Sequence, residues 1–216
     1  MGKINQGILG GFSGKVGNVI GGNWKGIDYM RVKPASVANP QTEGQMDQRS
    51  RFTTALAFLQ PMKDFIKVGY KGYAVKMTQF NSAMSYILKN AVFGVYPDYA
   101  IDYDSALISR GSLPSALNGA ASSAVPGNVT FSWSDNSVEG NAQPTDKSML
   151  LVFNPAKNET VFVTDGATRA EGTQTLVVPA NYSGDRVECF ISFISADKIS
   201  VANSRYIGTV TVAIPE

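Results

Sequence analysis

The chain has 216 residues, of which 44% are hydrophobic and 17% are charged, and its formal net charge is +2. This composition is that of a globular protein, and it excludes wholesale disorder and a charge-driven nucleic-acid or membrane partner for the whole chain. The sequence has no histidine and one cysteine, Cys189, which also excludes histidine-based catalytic relays and an intramolecular disulfide. We therefore expect no cofactor, no metal ion and no enzymatic activity.

Residues 1–36 form the first predicted region, a glycine-rich arm that leads into a β-hairpin. Residues 25–33 alternate strictly between polar and apolar side chains, which is typical of a strand. We place the hairpin turn at Gly21-Gly22-Asn23 because glycine adopts positive φ without steric cost. The region has five basic residues and one acidic residue, whereas residues 105–216 have seven basic and ten acidic residues.

The apolar side chains of the arm are too sparse to close a core, so we expect them to pack on another surface. The favoured surface lies on another copy, where the basic arm would meet the more acidic third region. The residues expected to make this contact are Ile8, Leu9, Phe12, Lys15, Val16, Val19, Ile20, Trp24, Lys25, Tyr29 and Arg31.

Residues 37–104 form the second predicted region, a helical hairpin. A proline follows Asn39, and Thr42 and Gln45 have the spacing of a capping box, so a first helix should start here. Pro61 should end that helix, and Thr78 should open a second one. One apolar stripe on the first helix is formed by Phe52, Ala55, Leu56 and Leu59.

The end of this region, residues 96–104, gathers three tyrosines and three aspartates. Carboxylate oxygens suit calcium, and aromatic rings suit the faces of sugars, so a calcium site at Asp98, Asp102 and Asp104 or a sugar site is one interpretation. The segment lacks the spacing of an EF-hand loop, and the favoured interpretation is a linker between the second and third regions.

Residues 105–216 form the third predicted region, an immunoglobulin-like or fibronectin-type-III-like β-sandwich. Short apolar segments recur between turn signals, about seven of them in all. Trp133 should be a buried aromatic residue, and Val187, Cys189 and Ile191 or their alternates should face the core. The predicted strands are residues 106–113, 128–133, 148–153, 159–164, 173–178, 187–194 and 205–213. The fold class is therefore α+β.

Five segments of the chain resemble a family of unknown function that is common in bacteria of the Bacteroides–Flavobacterium group and in their phages. They are GILGGFSGKVGNVIGGNWKGIDYMR, NPQTEGQMDQRSRF, ALAFLQPM, FNSAMSYILKNAV and YPDYAIDYDSALISRGSL. The resemblance runs the length of the chain and implies no catalytic residue.

Three functions remain open. The favoured one is a non-enzymatic structural protein whose arm docks on copies of itself or on neighbouring structural proteins, in a virion shell, tail or filament. The second is a surface or carbohydrate-binding module, and the third is a small enzyme that uses carboxylates. We expect no small-molecule substrate, no nucleic acid and no membrane span, since no stretch approaches the roughly 20 apolar residues of a membrane helix.

No continuous apolar segment of a signal peptide is found near the N-terminus. We therefore expect synthesis in the cytoplasm, without a signal peptide, followed by incorporation into a virion or another large assembly.

Overall fold

A computed structural model describes residues 2–3, 13–36, 39, 41–73 and 76–215. It divides into two compact units, Met1–Thr42 and Glu43–Glu216. The second unit contains both the helices and the sandwich, which differs from the predicted division at residues 104 and 105.

The first unit contains a four-stranded antiparallel sheet with the order β1-β4-β3-β2. Its strands are β1 (Gly2–Lys3), β2 (Gly14–Val16), β3 (Val19–Trp24) and β4 (Ile27–Val32). Glycine turns close both hairpins: Gly17 has a φ of +58° between β2 and β3, and Lys25 and Gly26 have φ of +53° and +81° between β3 and β4. Two successive residues with positive φ match the right-handed twist of the paired strands.

The predicted turn at Gly21-Gly22-Asn23 is wrong, because these residues lie inside β3. The Tyr29 ring of β4, which pairs with Gly22, occupies the space that a side chain at position 22 would fill. A Cβ atom on Gly22 would lie 2.9 Å from the Tyr29 hydroxyl. The glycine is therefore used for close packing of an aromatic ring on the strand rather than for a turn.

Three helices open the second unit, and the first and the last of them match the two helices predicted from the sequence. They are α1 (Glu43–Leu59), α2 (Lys63–Gly69) and α3 (Gln79–Asn90). Helix α1 ends just before Pro61, and the Thr78 hydroxyl caps α3 by accepting a hydrogen bond from the Asn81 N–H at 3.2 Å. Short 3₁₀ turns occur at Lys71–Tyr73, Arg169–Glu171 and Ala180–Tyr182.

A small hairpin follows α3 where only a linker was predicted. It consists of β5 (Val92–Val95) and β6 (Asp98–Ile101), and the Tyr96–Pro97 peptide bond between them is cis. The four residues of β5, Val-Phe-Gly-Val, show no alternation of polar and apolar side chains, and Gly94 has a φ of +107°. The pattern of a strand is therefore hard to recognise in the sequence.

Seven strands in two antiparallel sheets form the β-sandwich. One sheet has the order β11-β8-β7 and the other the order β10-β9-β12-β13. Six predicted strands are confirmed within a few residues, but the predicted strand at residues 106–113 is wrong: Leu113 makes one isolated bridge to Ala202, and β7 starts four residues later. The strands are β7 (Leu117–Ser122), β8 (Asn128–Ser134), β9 (Lys147–Asn154), β10 (Glu159–Val163), β11 (Thr173–Val177), β12 (Arg186–Ile194) and β13 (Arg205–Thr211).

The four-stranded sheet is covered on both faces. Val187, Cys189 and Ile191 of β12 face the other sheet, as predicted, and pack with the buried Trp133. The alternate residues, Phe190 and Ile194, face the opposite way and pack with the helices. The sandwich and the helical layer therefore share β9 and β12, which explains why these strands are buried at almost every position.

Candidate assembly surface

The strand register of the first unit sorts its side chains onto two faces, because paired residues in antiparallel strands point to the same side. Lys15 pairs with Ile20, Ile20 with Arg31, Gly22 with Tyr29, and Trp24 with Ile27. We call the face formed by these side chains the aromatic face; its residues are Lys15, Ile20, Trp24, Ile27, Tyr29 and Arg31. The opposite face, which we call the valine face, contains Val16, Val19, Met30 and Val32.

Both faces of this sheet expose large apolar side chains. Trp24 is 64% and Ile27 is 42% exposed on the aromatic face, and Val32 is 73% exposed on the valine face. Among residues 13–36, all of which the structure describes, Gly21 is the one residue classed as buried. The described part of the sheet thus has no apolar core of its own, as expected from the sparse apolar residues of the arm.

A positive charge lies beside the exposed tryptophan. The Lys25 ammonium lies 4.9 Å from the centre of the Trp24 ring, a distance at which a cation is attracted to the face of the ring. Lys15 and Arg31 are exposed on the same face. An apolar surface with basic side chains at its edge suits a partner surface that contains apolar side chains and carboxylates.

The structure places eight of the eleven predicted contact residues, and these form three groups. Five lie on the aromatic face (Lys15, Ile20, Trp24, Tyr29 and Arg31), two on the valine face (Val16 and Val19), and Lys25 is in the turn between β3 and β4. Ile8, Leu9 and Phe12 lie outside the described residues. The prediction missed Ile27, Met30 and Val32 as exposed apolar residues, although the alternation of residues 25–33 was the signal that could have identified them.

The tyrosine- and aspartate-rich segment uses its polar groups locally. The Asp102 carboxylate accepts hydrogen bonds from the Asp104 N–H at 3.1 Å and the Ser105 hydroxyl at 2.6 Å, as in a turn. The Tyr103 ring packs against the rings of Phe58 and Phe153 in the core. In the described part of the chain, no three His, Cys, Asp or Glu residues form a group that could hold a metal ion.

The Cys189 thiol and the neighbouring Glu188 carboxylate of β12 are both buried in the sandwich. Burial, with a further contribution from the neighbouring Glu188 carboxylate, raises the pKa of the Cys189 thiol from 9.0 to about 12. Glu188 itself is nearly buried and accepts hydrogen bonds from the hydroxyls of Tyr206 at 2.5 Å and Thr209 at 2.8 Å. A thiol of this kind is protonated at neutral pH and is a poor nucleophile.

Helices long and apolar enough to cross a membrane do not occur among the residues that the structure describes.

The described residues define a mixed α+β protein in which a β-sandwich is covered by helices and is preceded in the chain by an exposed sheet. A family model described as a family of unknown function, DUF6266, matches residues 11–208. The match spans most of the chain, so the protein belongs to this family.

No curated protein matches the sequence. Among solved structures, the chain is similar to the fn3 domain of the human collagen alpha-1(XX) chain, determined in solution. The two are 20% identical with a TM-score of 0.35, over 50% of this chain and 94% of that one. A likeness of this size supports no conclusion.

Proposed function

We propose that the protein is a non-enzymatic structural protein that associates with other copies of itself, or with neighbouring structural proteins, through its N-terminal sheet. The assembly that we propose is a virion component, such as an auxiliary capsid or tail protein, or a filament.

The observation that carries this proposal is the exposure of apolar side chains on both faces of the sheet. An isolated sheet of this kind leaves Trp24, Ile27 and Val32 in water, which is costly at roughly 25 cal/mol per Å² of apolar surface. Exposed apolar patches on folded proteins mark binding surfaces more often than scattered apolar residues do. A partner that covers one or both faces would supply the core that the sheet lacks.

The second unit suits the role of a rigid module. Its two sheets, β11-β8-β7 and β10-β9-β12-β13, enclose a common core, and this arrangement supports the finer prediction of a fibronectin-type-III-like sandwich. The helices add a second core on the other side of the larger sheet. A module with two cores holds its surface features in fixed positions, which repeated contacts in an assembly require.

The chemistry of the second unit supports a non-enzymatic role. Histidine is missing from the sequence, the thiol of Cys189 has a raised pKa, and the buried Arg169 is bound to Asp146 at 3.2 Å inside the sandwich. These groups stabilise the fold, and none of them is poised to act on a substrate.

The test is the self-association of a variant with the substitutions Trp24→Ser and Ile27→Ser, measured by sedimentation velocity. We expect the full-length protein to form species larger than a monomer and this variant to be monomeric. A matched control carries Val138→Ser and Val177→Ser, because these side chains are 94% and 72% exposed in the second unit. The control should assemble like the unaltered protein. If the Trp24→Ser/Ile27→Ser variant assembles as well as the unaltered protein, the proposal is contradicted. An unaltered protein that is monomeric and binds glycans would also contradict it, and would favour the carbohydrate-binding alternative.

A further inference from the structure

The β5–β6 hairpin has one face that packs on the protein and one that does not. On the inner face, Val92 and Ile101 pack against the helical core. The Tyr99 hydroxyl donates a hydrogen bond to the Asp47 carboxylate of α1. The Arg51 guanidinium of α1 lies 5.7 Å from the centre of the Tyr99 ring. These contacts fix the hairpin to α1.

The outer face exposes apolar side chains beside a carboxylate. Phe93 pairs with Ala100 and Val95 with Asp98, so these four side chains share one side of the hairpin. Phe93 is 56% and Val95 is 77% exposed, and the adjoining Tyr96 of the turn is 47% exposed. We call the surface formed by Phe93, Val95, Tyr96, Asp98 and Ala100 the hairpin patch.

The hairpin patch is not needed to hold the hairpin in place. Besides the inner-face contacts, the Ser50 hydroxyl donates to the Pro97 carbonyl at 3.2 Å, and the Asp102 N–H donates to the Ala91 carbonyl at 2.8 Å. Backbone packing is close as well, because a Cβ atom on Gly94 would lie 2.3 Å from the Asp98 carbonyl oxygen. Exposed aromatic and branched side chains on a well-anchored hairpin therefore point to binding rather than folding.

We propose that the hairpin patch is the docking site for the aromatic face of a second copy of this chain. The inference rests on the proposed function and names the surface to which the N-terminal sheet binds. Apolar side chains are available on both sides, with Trp24 and Ile27 on the sheet and Phe93 and Val95 on the hairpin.

The charges of the two surfaces are complementary. Lys15 and Arg31 lie on the aromatic face, and Lys25 lies beside its tryptophan. The hairpin and the residues that follow it, 92–104, contain three aspartates and neither lysine nor arginine, and Asp98 lies on the patch itself. Opposite charges at the rim of an apolar contact favour this pairing over contact between two sheets, where like charges would meet.

The contact joins two different surfaces, so it is heterologous. Each copy offers one aromatic face and one hairpin patch, and a head-to-tail contact of this kind closes into a ring or continues as a filament. The contact therefore generates an assembly without a further interface.

Mixing two variants tests the proposal. The sheet variant carries Trp24→Ser and Ile27→Ser, and the hairpin variant carries Phe93→Ser and Val95→Ser. Each should weaken self-association of the full-length protein by more than about tenfold in dissociation constant. An equimolar mixture should form a 1:1 dimer and nothing larger, because one intact aromatic face and one intact hairpin patch remain per pair. The Val138→Ser/Val177→Ser variant is the control and should assemble as the unaltered protein does.

The outcomes separate this inference from the proposed function. If the hairpin variant assembles normally while the sheet variant does not, the sheet binds elsewhere, and the inference is overturned while the proposed function stands. If neither variant changes assembly, both fail. A third outcome would also overturn the inference: the unaltered protein is a monomer, and its N-terminal sheet is cut faster by protease when the hairpin substitutions are present. This result would mean that the contact forms within one chain. If the hairpin variant melts at a lower temperature than the unaltered protein, its loss of assembly could come from unfolding, and the Asp98→Lys variant is used instead. The inference fails if Asp98→Lys does not weaken assembly.

Discussion

Arg169 is a fully buried cation inside the sandwich. Its Nε atom lies 3.2 Å from the Asp146 carboxylate, Nη1 donates to the Asn136 side chain at 2.6 Å, and Nη2 donates to the Pro114 carbonyl at 3.1 Å. The guanidinium also lies 3.9 Å from the centre of the Phe193 ring. One side chain thus connects several segments of the sandwich.

Replacing this arginine should be strongly destabilising. Arg169→Met leaves the carboxylate of Asp146, which is 1% exposed, buried without its cation, and should lower the free energy of unfolding by about 3–5 kcal/mol. Urea denaturation measures the loss. Lys198→Met is the control, because Lys198 and Asp165 are 60% and 49% exposed and their pair should contribute less than about 1 kcal/mol. Equal losses in the two variants would contradict the role of burial.

Gly111 is required by the close approach of two backbone segments. A Cβ atom at this position would lie 1.8 Å from the Val201 carbonyl oxygen, whereas nothing lies within 4 Å of a Cβ atom on Gly44 of α1. We expect Gly111→Ala to lower the thermal midpoint by several degrees and Gly44→Ala to raise it slightly, because alanine favours a helix by up to about 1 kcal/mol. Calorimetry measures both, and an unchanged midpoint for Gly111→Ala would contradict the observed packing.

Cys189 should make the protein less stable at alkaline pH. Its pKa is raised from 9.0 to about 12 by burial, so the unfolded chain loses the thiol proton near pH 9 while the folded chain keeps it. The stability that this thiol contributes is fully present below pH 9 and is lost as the pH rises towards 12, by at most about 1.4 kcal/mol per pH unit. Burial also raises the pKa values of Tyr182 and Tyr206 to about 12, which adds to the loss above pH 10.

The measurement is urea denaturation between pH 8 and pH 10 for the unaltered protein, Cys189→Ala and Val187→Ala. The alanine at position 189 should flatten the dependence of stability on pH, whereas the alanine at the neighbouring buried Val187 should lower stability without changing that dependence. Parallel curves for all three proteins would contradict the assigned cause.

At the scale of the elements, the shared sheet makes the helices and the sandwich interdependent. Without the helices, the outward face of β9 and β12 would expose Leu151, Phe153 and Phe190 to water. Sequence analysis divided these elements into separate regions at residue 104, because the apolar period changes there. The change of period marks a change of element type, and it does not reveal that the helices pack on β9 and β12 in one of the two cores.

A protein of residues 105–216 alone should therefore aggregate or unfold at low urea concentration, whereas residues 43–216 should unfold in one cooperative transition. Circular dichroism and light scattering across a urea series measure this. A soluble, cooperatively folded 105–216 would contradict the interdependence of the two layers and support the division made from the sequence.

Six of the seven strands of the sandwich were predictable, because each is a segment of five to nine residues next to turn residues such as Asn, Asp, Pro or Gly. The hairpin β5–β6 was not predictable, since its strands have four residues each and the residues of β5 do not alternate between polar and apolar. The sheet of the first unit was predicted only in part: β4 has a clear alternation, whereas the position of Gly22 inside β3 depends on Tyr29 across the strand pair. Pairing between strands cannot be read from the period of one strand.

The candidate site, like the hairpin, depends on strand pairing that the sequence does not show. The arm residues were chosen for their apolar and basic character, but their division between an aromatic and a valine face depends on the register of Ile20 with Arg31 and of Val19 with Val32. Three residues of the hairpin patch, Tyr96, Asp98 and Ala100, lie in the segment that the sequence analysis considered as a calcium or sugar site. The patch as a surface was not predicted, because it depends on which side of β5 is covered by α1.

At the scale of the whole molecule, we propose that the N-terminal sheet holds copies of the protein together, and we expect the second unit to fold without it. The boundary between the compact units, after Thr42, gives a deletion that removes the complete sheet and no element of the second unit. A protein that lacks the sheet therefore tests assembly and folding separately.

The most direct test is sedimentation equilibrium of the full-length protein and of a protein that begins at Glu43, over a range of concentrations. We predict that the mass of the full-length protein rises with concentration, and that the shortened protein remains a monomer and keeps the far-ultraviolet circular dichroism of the helices and sandwich. A full-length protein that stays monomeric at the highest concentration, or a shortened protein that assembles equally well, would contradict the account.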